Sequence, residues 1–512
     1  MLVAICVVSC DFLDVPLEST VSTSNYYQTT EDFDMCLTGV YNILLDAEGN
    51  NRFGSYFSGF MVLGRIGTDE MYANYGSNGE PELGQYTYTP QNLFLSRTWY
   101  MMYKGIQRAN VVIERLTPRE DLEGAEKNRI LGEALFLRSF FYFHLVRLFG
   151  QVPLVVNEVS DPASLDASSR PINEVYGQIV SDLSLAETLL PDRTSGGRAY
   201  KNAAKAMLGK VWLQMAGEPL NDRDAAAKAY SVLREVIESG NFSLENDYFA
   251  LFDGKHEHGR EYVWDIEFSN NGTTRYGGQV GTYDGVSTDG DNLYWVQLRT
   301  CQEFYETFDE NDLRRDAIAR YILVHDDSGH LVPKYFESTS PDAVDSYYFV
   351  YKFRHGLTAD ERGAGWANWA NPINFPIIRY SDVLLMFAEA SLRAGVADPN
   401  ALEYVNQVRR RGFGKRGAEI LTKNPSIDLQ ALSLDNLLEE RSFELCFEGQ
   451  RWYDLVRFGK LLEQVRKIDK YPYTVQVTKQ ARNIQEKHVF YPIPQDAIDA
   501  SDGKIQQNEM WR

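Results

Sequence analysis

The chain has 512 residues, 44% hydrophobic and 24% charged, a globular composition too long for one simple core and long enough for two lobes or an elongated array. Its formal charge of −21 repels phosphate backbones, so no nucleic-acid partner is expected, and strongly anionic ligands are disfavoured unless a local basic patch overrides the mean. Aromatic residues are abundant (31 Tyr, 27 Phe and 8 Trp), and their flat apolar faces suit surfaces that stack on sugars or partner proteins.

At the N-terminus, residues 2–8 form an apolar run too short to span a bilayer, which needs roughly 20 such residues. The run ends Val7-Val8-Ser9-Cys10, similar to a bacterial lipobox, in which small residues admit a signal peptidase and the cysteine thiol takes the lipid. Cys10 is therefore the expected lipid anchor. The other cysteines, Cys6, Cys36, Cys301 and Cys446, form no CxxC pair, so neither a disulfide framework nor a zinc module is expected. Cys36 and Cys446 lie in apolar helical patterns and read as small core residues.

Helical periodicity follows. Thr29-Thr30 precede Phe33, Leu37, Val40 and Leu44 at three- and four-residue spacing. A second helix is predicted over 95–116, stopping before Pro118, and a third carries Leu131, Leu135, Tyr142, Leu145 and Phe149 up to Gly150. Others are predicted over 171–190, 202–215, 222–239 (closed by Gly240), 379–394, 398–411 and 434–447. Their short connections suggest helical hairpins stacked in a tetratricopeptide-like manner, although no strict consensus repeat is present. Residues 261–268 alternate like a half-buried strand. Three stretches, roughly 50–90, 269–299 and 340–376, mix Gly, Asn, Asp and aromatics and read as ordered loops, where binding residues concentrate. The expectation is a mainly α protein: a tetratricopeptide-like helical scaffold with loop-rich insertions and minor β.

Four stretches carry a family resemblance. The first is Cys10-Asp11-Phe12-Leu13-Asp14-Val15-Pro16, and the second is the run 133–143 continuing to Leu148-Phe149-Gly150 and Val152-Pro153-Leu154. The third is 379–390, and the fourth runs from Glu440-Arg441 through 444–460, including Phe447-Glu448-Gly449-Gln450-Arg451-Trp452-Tyr453-Asp454. With Tyr491-Pro492-Ile493-Pro494 and Gln507-Asn508 near the end, the chain resembles the SusD/RagB family of outer-membrane nutrient-binding lipoproteins. The resemblance implies residues 1–10 as signal and anchor and 11–512 as one SusD-like domain, with 11–240 and 377–512 mostly helical scaffold and 241–376 mainly loop-rich insertion. It further implies a cell-surface, lipid-anchored protein of the outer membrane, which captures oligosaccharides and delivers them to a TonB-dependent transporter of the SusC type. The alternatives are a peptide-binding nutrient-uptake lipoprotein of the same family and, further from the pattern, a glycoside hydrolase.

The charged motifs read as structural. Glu440, Glu444 and Glu448 are four apart, with Arg441 and Arg451 nearby, and without a Glu-x-x-His pair they suggest a charge network between helices rather than two metals. Glu133 and Arg138, inside an apolar helix, read the same way. Asp265 and Glu267 share one strand face, yet alternation alone does not establish the carboxylate spacing of a glycosidase. His256 and His258, like His325 and His330, match no zinc spacing, and Asp289-Gly290-Asp291-Asn292 reads as a solvated turn rather than a calcium loop. No nucleophile elbow, P-loop or dinucleotide fingerprint is present, so no catalytic residue, metal or cofactor is expected. Sugar binding needs flat rings flanked by groups that bond hydroxyls. The loop regions offer Asp69, Tyr72, Tyr75 and Asn78 (with Arg65 beside them), then Tyr283, Tyr294 and Trp295, then Trp366, Asn368 and Trp369. Trp99 and Trp452 sit in helical motifs and are expected in the core.

Overall fold

The structure is a computed structural model that describes residues 26–45, 59, 61–74, 76, 79–161, 166–194, 196–270, 275–276, 285–286, 297–328, 331–335, 348–354, 373–470 and 475–512. Its helices are α1 (Thr30–Tyr41), α2 (Glu80–Gly84), α3 (Leu93–Leu116), α4 (Ala125–Phe149), α5 (Ile172–Leu189), α6 (Lys201–Ala216), α7 (Arg223–Glu238) and α8 (Gln302–Thr307). After the insertion come α9 (Tyr380–Ala394), α10 (Pro399–Gly412), α11 (Leu434–Glu444), α12 (Arg451–Arg457), α13 (Leu461–Lys467), α14 (Val475–Asn483) and α15 (Gln495–Ala500). The mainly α expectation holds.

Helix boundaries follow local chemistry. Thr29 and Asp32 close a capping box on α1, Asp222 accepts from the N–H groups of Asp224 and Ala225 at the start of α7, and Ser433 caps α11. Gly150, Gly240 and Gly395 end α4, α7 and α9 at positive φ, which a side chain rarely adopts.

The helices stack in sequence. α3 packs on α4, α4 on α5, α5 on α6 and α6 on α7, and α7 then packs on α9 across the long insertion, followed by α10 and α11. α4 lies at the centre, with nearly every residue from Gly132 to Phe149 buried, which explains a helix apolar on all sides. It approaches α3 closely because Gly105 has no side chain: a Cβ there would meet the Phe141 ring at 2.5 Å. Trp99 and Trp452 are both buried, as expected; Cys446 is fully buried and Cys36 half-buried.

The insertion is closed at its root by its own two ends. Strand Tyr262–Ile266 pairs antiparallel with Phe375–Arg379, matching Ile266 to Phe375 and Tyr262 to Arg379. The sequence suggested a half-buried strand over 261–268, but all five strand residues are buried. The cause is visible in Trp264, whose ring meets Phe136 and Phe140 of α4 edge-on at 4.7 and 4.9 Å.

Buried ion pairs fasten this root to the helices. Arg379 donates to Glu261 at 2.9 Å, to Glu444 at 2.5 Å and to Glu448 at 2.8 Å, while Arg411 bonds both Glu261 and Glu444. Arg314 binds Asp312 at 2.7 Å and Glu440 at 2.6 Å, and Lys352 binds Glu448 at 2.5 Å. A neighbouring group joins Arg441 to Asp382 and Asp454, Lys210 to Asp382, and Arg457 to Glu389. Arg138 forks onto Asp182, and Glu133 accepts from Arg129 and Arg198. The structural reading of these charges is correct, with one change of geometry. α11 was expected to run to 447, yet it stops at Glu444 because Tyr248 and Lys352 donate to the Glu444 carbonyl, Lys352 also takes that of Cys446, and Phe447 turns at φ 64°. Glu448 thus joins the network from beyond the helix.

Candidate functional site

The three irregular segments grow from one described framework. Strand Met71–Ala73 pairs with Leu298–Thr300, placing Tyr72 opposite Arg299, and the Asn74 N–H extends the ladder by donating to the Gln297 carbonyl at 2.8 Å. On the far side, the Thr300 N–H donates to the Tyr348 carbonyl at 3.1 Å, and Phe349–Val350 pairs with Ile318–Ala319. Phe353, just before the segment bearing Trp366, Asn368 and Trp369, packs its ring 5.7 Å from Phe375, just after it. Asn374 accepts the Phe268 N–H at 2.8 Å, joining a residue just after that segment to one just before the segment bearing Tyr283.

Among the ten candidate ligand residues, Tyr75, Asn78, Tyr283, Tyr294, Trp295, Trp366, Asn368 and Trp369 lie outside the described residues, as do Cys10, Asp289–Asn292 and His330. The other two lie within the framework. Tyr72 is 2% exposed, so its ring packs in the core and offers no face to a sugar. Asp69 is held by a two-pronged contact from Arg451 at 2.8 and 2.5 Å, where it lines a polar groove of about 560 Å³ with Ser442, Lys460 and Gln464. Arg65, placed beside this group from sequence, is fully buried and donates to the carbonyls of Met61 and Phe447.

Two further clefts, of about 250 and 320 Å³, flank strand Tyr262–Ile266 and share Arg198 and Asp265 in their walls. Asp265 is 4% exposed and accepts from the Asn374 amide at 2.9 Å; burial pushes its carboxyl up to about 6, with His258 opposing the rise. His258 lies 3.7 Å from both Asp265 and the exposed Glu267, so the two acids noted on one strand face both neighbour one histidine, with Asp265 buried. No sequence signal separated His258 or Arg198 from ordinary surface charge. Among the described residues, no group of three or more His, Cys, Asp or Glu side chains converges to hold a metal, and no helix is long and apolar enough to cross a membrane.

Residues 260–511 match a family model described as the SusD family, and residues 11–213 match one described as starch-binding associating with outer membrane. The chain belongs to the SusD/RagB family. A SusD-like protein (P2) of Formosa agariphila is 29% identical over 465 residues, spanning 88% of each chain. The crystal structure of a SusD homolog from Bacteroides thetaiotaomicron superposes with a TM-score of 0.81 at 26% identity, covering 94% of this chain and 97% of that one. Surface glycan-binding protein A of the same species, solved in complex with laminarihexaose, shares the fold with a TM-score of 0.73 at 22% identity, covering 94% and 99%. SusD/RagB membership accounts for the stacked helices, and it places this chain in a starch-binding, outer-membrane-associated family.

Proposed function

We propose that this protein is a surface lipoprotein, anchored through Cys10, that captures oligosaccharides without cleaving them and passes them to a TonB-dependent outer-membrane transporter of the SusC type. The observation that carries the reading is the Asn74–Gln297 ladder with its Thr300–Tyr348 extension, which joins described residues flanking the aromatic segments in the sequence. Tyr75, Tyr283, Tyr294, Trp295, Trp366 and Trp369 are the rings of the platform, and Asn78 and Asn368 are its hydroxyl-bonding amides. Rings stack on the apolar face of a pyranose, and a stiff base lowers the ordering cost of binding. The laminarihexaose complex of a protein with this fold supports glycan as cargo.

Affinity electrophoresis of the full chain against a panel of neutral and acidic polysaccharides tests this reading. At least one glycan should retard the protein, and Trp295→Ala or Trp366→Ala should weaken that retention about tenfold each. New reducing ends in the mixture, or migration indifferent to every saccharide, would overturn it. Separately, Cys10→Ala should shift the protein from the outer-membrane fraction to the soluble one. Variant still in the membrane pellet of cells lacking the partner transporter would remove the anchor assignment.

A further inference from the structure

Two consecutive arginines in the insertion have opposite surroundings. Arg314 is fully buried and saturated by Asp312, Glu440 and Glu444. Arg315, next in the chain, is only half-buried and has no carboxylate among the described residues within ion-pair distance. Its guanidinium carbon instead sits 4.2 Å from the centre of the Tyr305 ring, and its Nε is buried without a hydrogen-bond partner. Arg320 is also half-buried and has no ion-pair partner among the described residues, and it lies 5.5 Å from the Tyr305 ring and 5.2 Å from that of Tyr348. The two tyrosines pack 5.2 Å apart, so both guanidiniums rest on one aromatic surface.

In a chain with 72 acidic residues against 51 basic ones, guanidiniums without an ion pair among the described residues are not what numbers alone would give. Of the nearby acids, Asp312 holds Arg314 and Glu306 accepts from the Gln302 amide at 2.7 Å, while Asp309 and Asp316 feel the Arg315 charge without forming an ion pair with it among the described residues. A ring face attracts a cation without neutralising it, and it fixes the guanidinium plane while leaving the N–H edge free to donate. That edge matches the two oxygens of a carboxylate or sulfate in a forked contact. The site also lies on the ligand framework, because the Tyr348 carbonyl receives the Thr300 N–H from the strand that follows Trp295.

We infer that Arg315 and Arg320, held on the Tyr305–Tyr348 ring pair, form a subsite for an oxyanion carried by the glycan, which makes the preferred cargo an acidic saccharide. This subsite rests on the glycan-capture reading and narrows it to one ligand class.

The test is calorimetric titration of the full chain with three hexasaccharides: oligogalacturonate for carboxylate, a sulfated galactan fragment for sulfate ester, and laminarihexaose as the neutral arm. The expected result is tighter binding of one acidic arm, weakened about tenfold or more in Arg315→Gln/Arg320→Gln with the neutral arm unchanged. The Lys/Lys double variant should recover part of the affinity, since it keeps charge but not the fork. In the wild type, acidic binding should fall several-fold between 50 and 500 mM NaCl, a measurement independent of how the variants fold. Binding confined to the neutral arm, or acidic binding indifferent to salt or to the double substitution, would overturn the subsite while leaving glycan capture intact. Failure to bind any of these hexasaccharides, or any glycan of the wider panel, would overturn glycan capture and the subsite with it.

Discussion

Glu444→Gln is expected to lower the unfolding free energy by about 3–5 kcal/mol, as breaking a buried ion network from one side does. The Glu444 carboxylate receives N–H groups from Arg379, Arg411 and, at 3.2 Å, Arg314, and none of these side chains is more than 1% exposed. The amide keeps the shape but removes the charge, leaving three buried guanidiniums each short of one counter-ion. Burial alone would raise this carboxyl, but Arg411, Arg379 and Arg314 outweigh it and hold it well below the ordinary carboxylate range. A depressed folded value means the contribution is complete above the unfolded value of 4.5 and fades as pH falls below it. Urea midpoints of wild type and variant should therefore differ fully at pH 7 and converge at acid pH. Glu439→Gln, on the exposed face of the same helix, should stay within about 0.5 kcal/mol. A Glu444 variant as stable as the Glu439 one would show that the network is dispensable.

That network was legible as a motif before its geometry was. Three glutamates at four-residue spacing inside an apolar context demand partners, because unpaired buried carboxylates are too costly to keep. What spacing could not show is that α11 ends at Glu444, since the donors that stop it, Tyr248 and Lys352, are distant in sequence. α4 and the caps at Asp222, Ser433 and Gly240 were readable because helix signals are local. The first irregular segment misled for the opposite reason. Residues 61–74 lack periodicity, yet most are buried, because long-range bonds from Phe447, Cys301 and Gln297 satisfy their backbone and side chains. A tyrosine in such a segment reads like a loop ring, and Tyr72 proved to be packing. Likewise Arg314 and Arg315 are indistinguishable by neighbours in sequence; only the fold decides which is saturated and which is available.

Glu70→Gln is expected to stabilise the protein increasingly as pH rises, the reverse of Glu444. Glu70 is 1% exposed, and burial pushes its carboxyl up to about 8, with Arg451 opposing the rise and Asp69 adding to it. Its Oε2 accepts the Phe447 N–H at 3.2 Å, a bond that a glutamine oxygen can keep, and its carbonyl receives the Cys301 N–H at 2.9 Å. Between the unfolded value of 4.5 and the folded value near 8, the native state holds a proton that the unfolded chain has released. Stability from this group is therefore complete below pH 4.5 and is lost at about 1.4 kcal/mol per pH unit as pH climbs toward 8. The glutamine variant carries no such penalty, so its advantage over wild type should grow by about 3 kcal/mol between pH 5 and pH 8. Because Glu70 immediately precedes the strand Met71–Ala73, which pairs with Leu298–Thr300, glycan affinity of the wild type should also weaken at alkaline pH while that of the variant holds. Matched denaturation curves at pH 5 and pH 8 read the first effect, and titrations with the retained glycan read the second. A stability difference independent of pH, or one favouring wild type as pH rises, would mean that Glu70 is ionised in the native state and bound by Arg451 as Asp69 is.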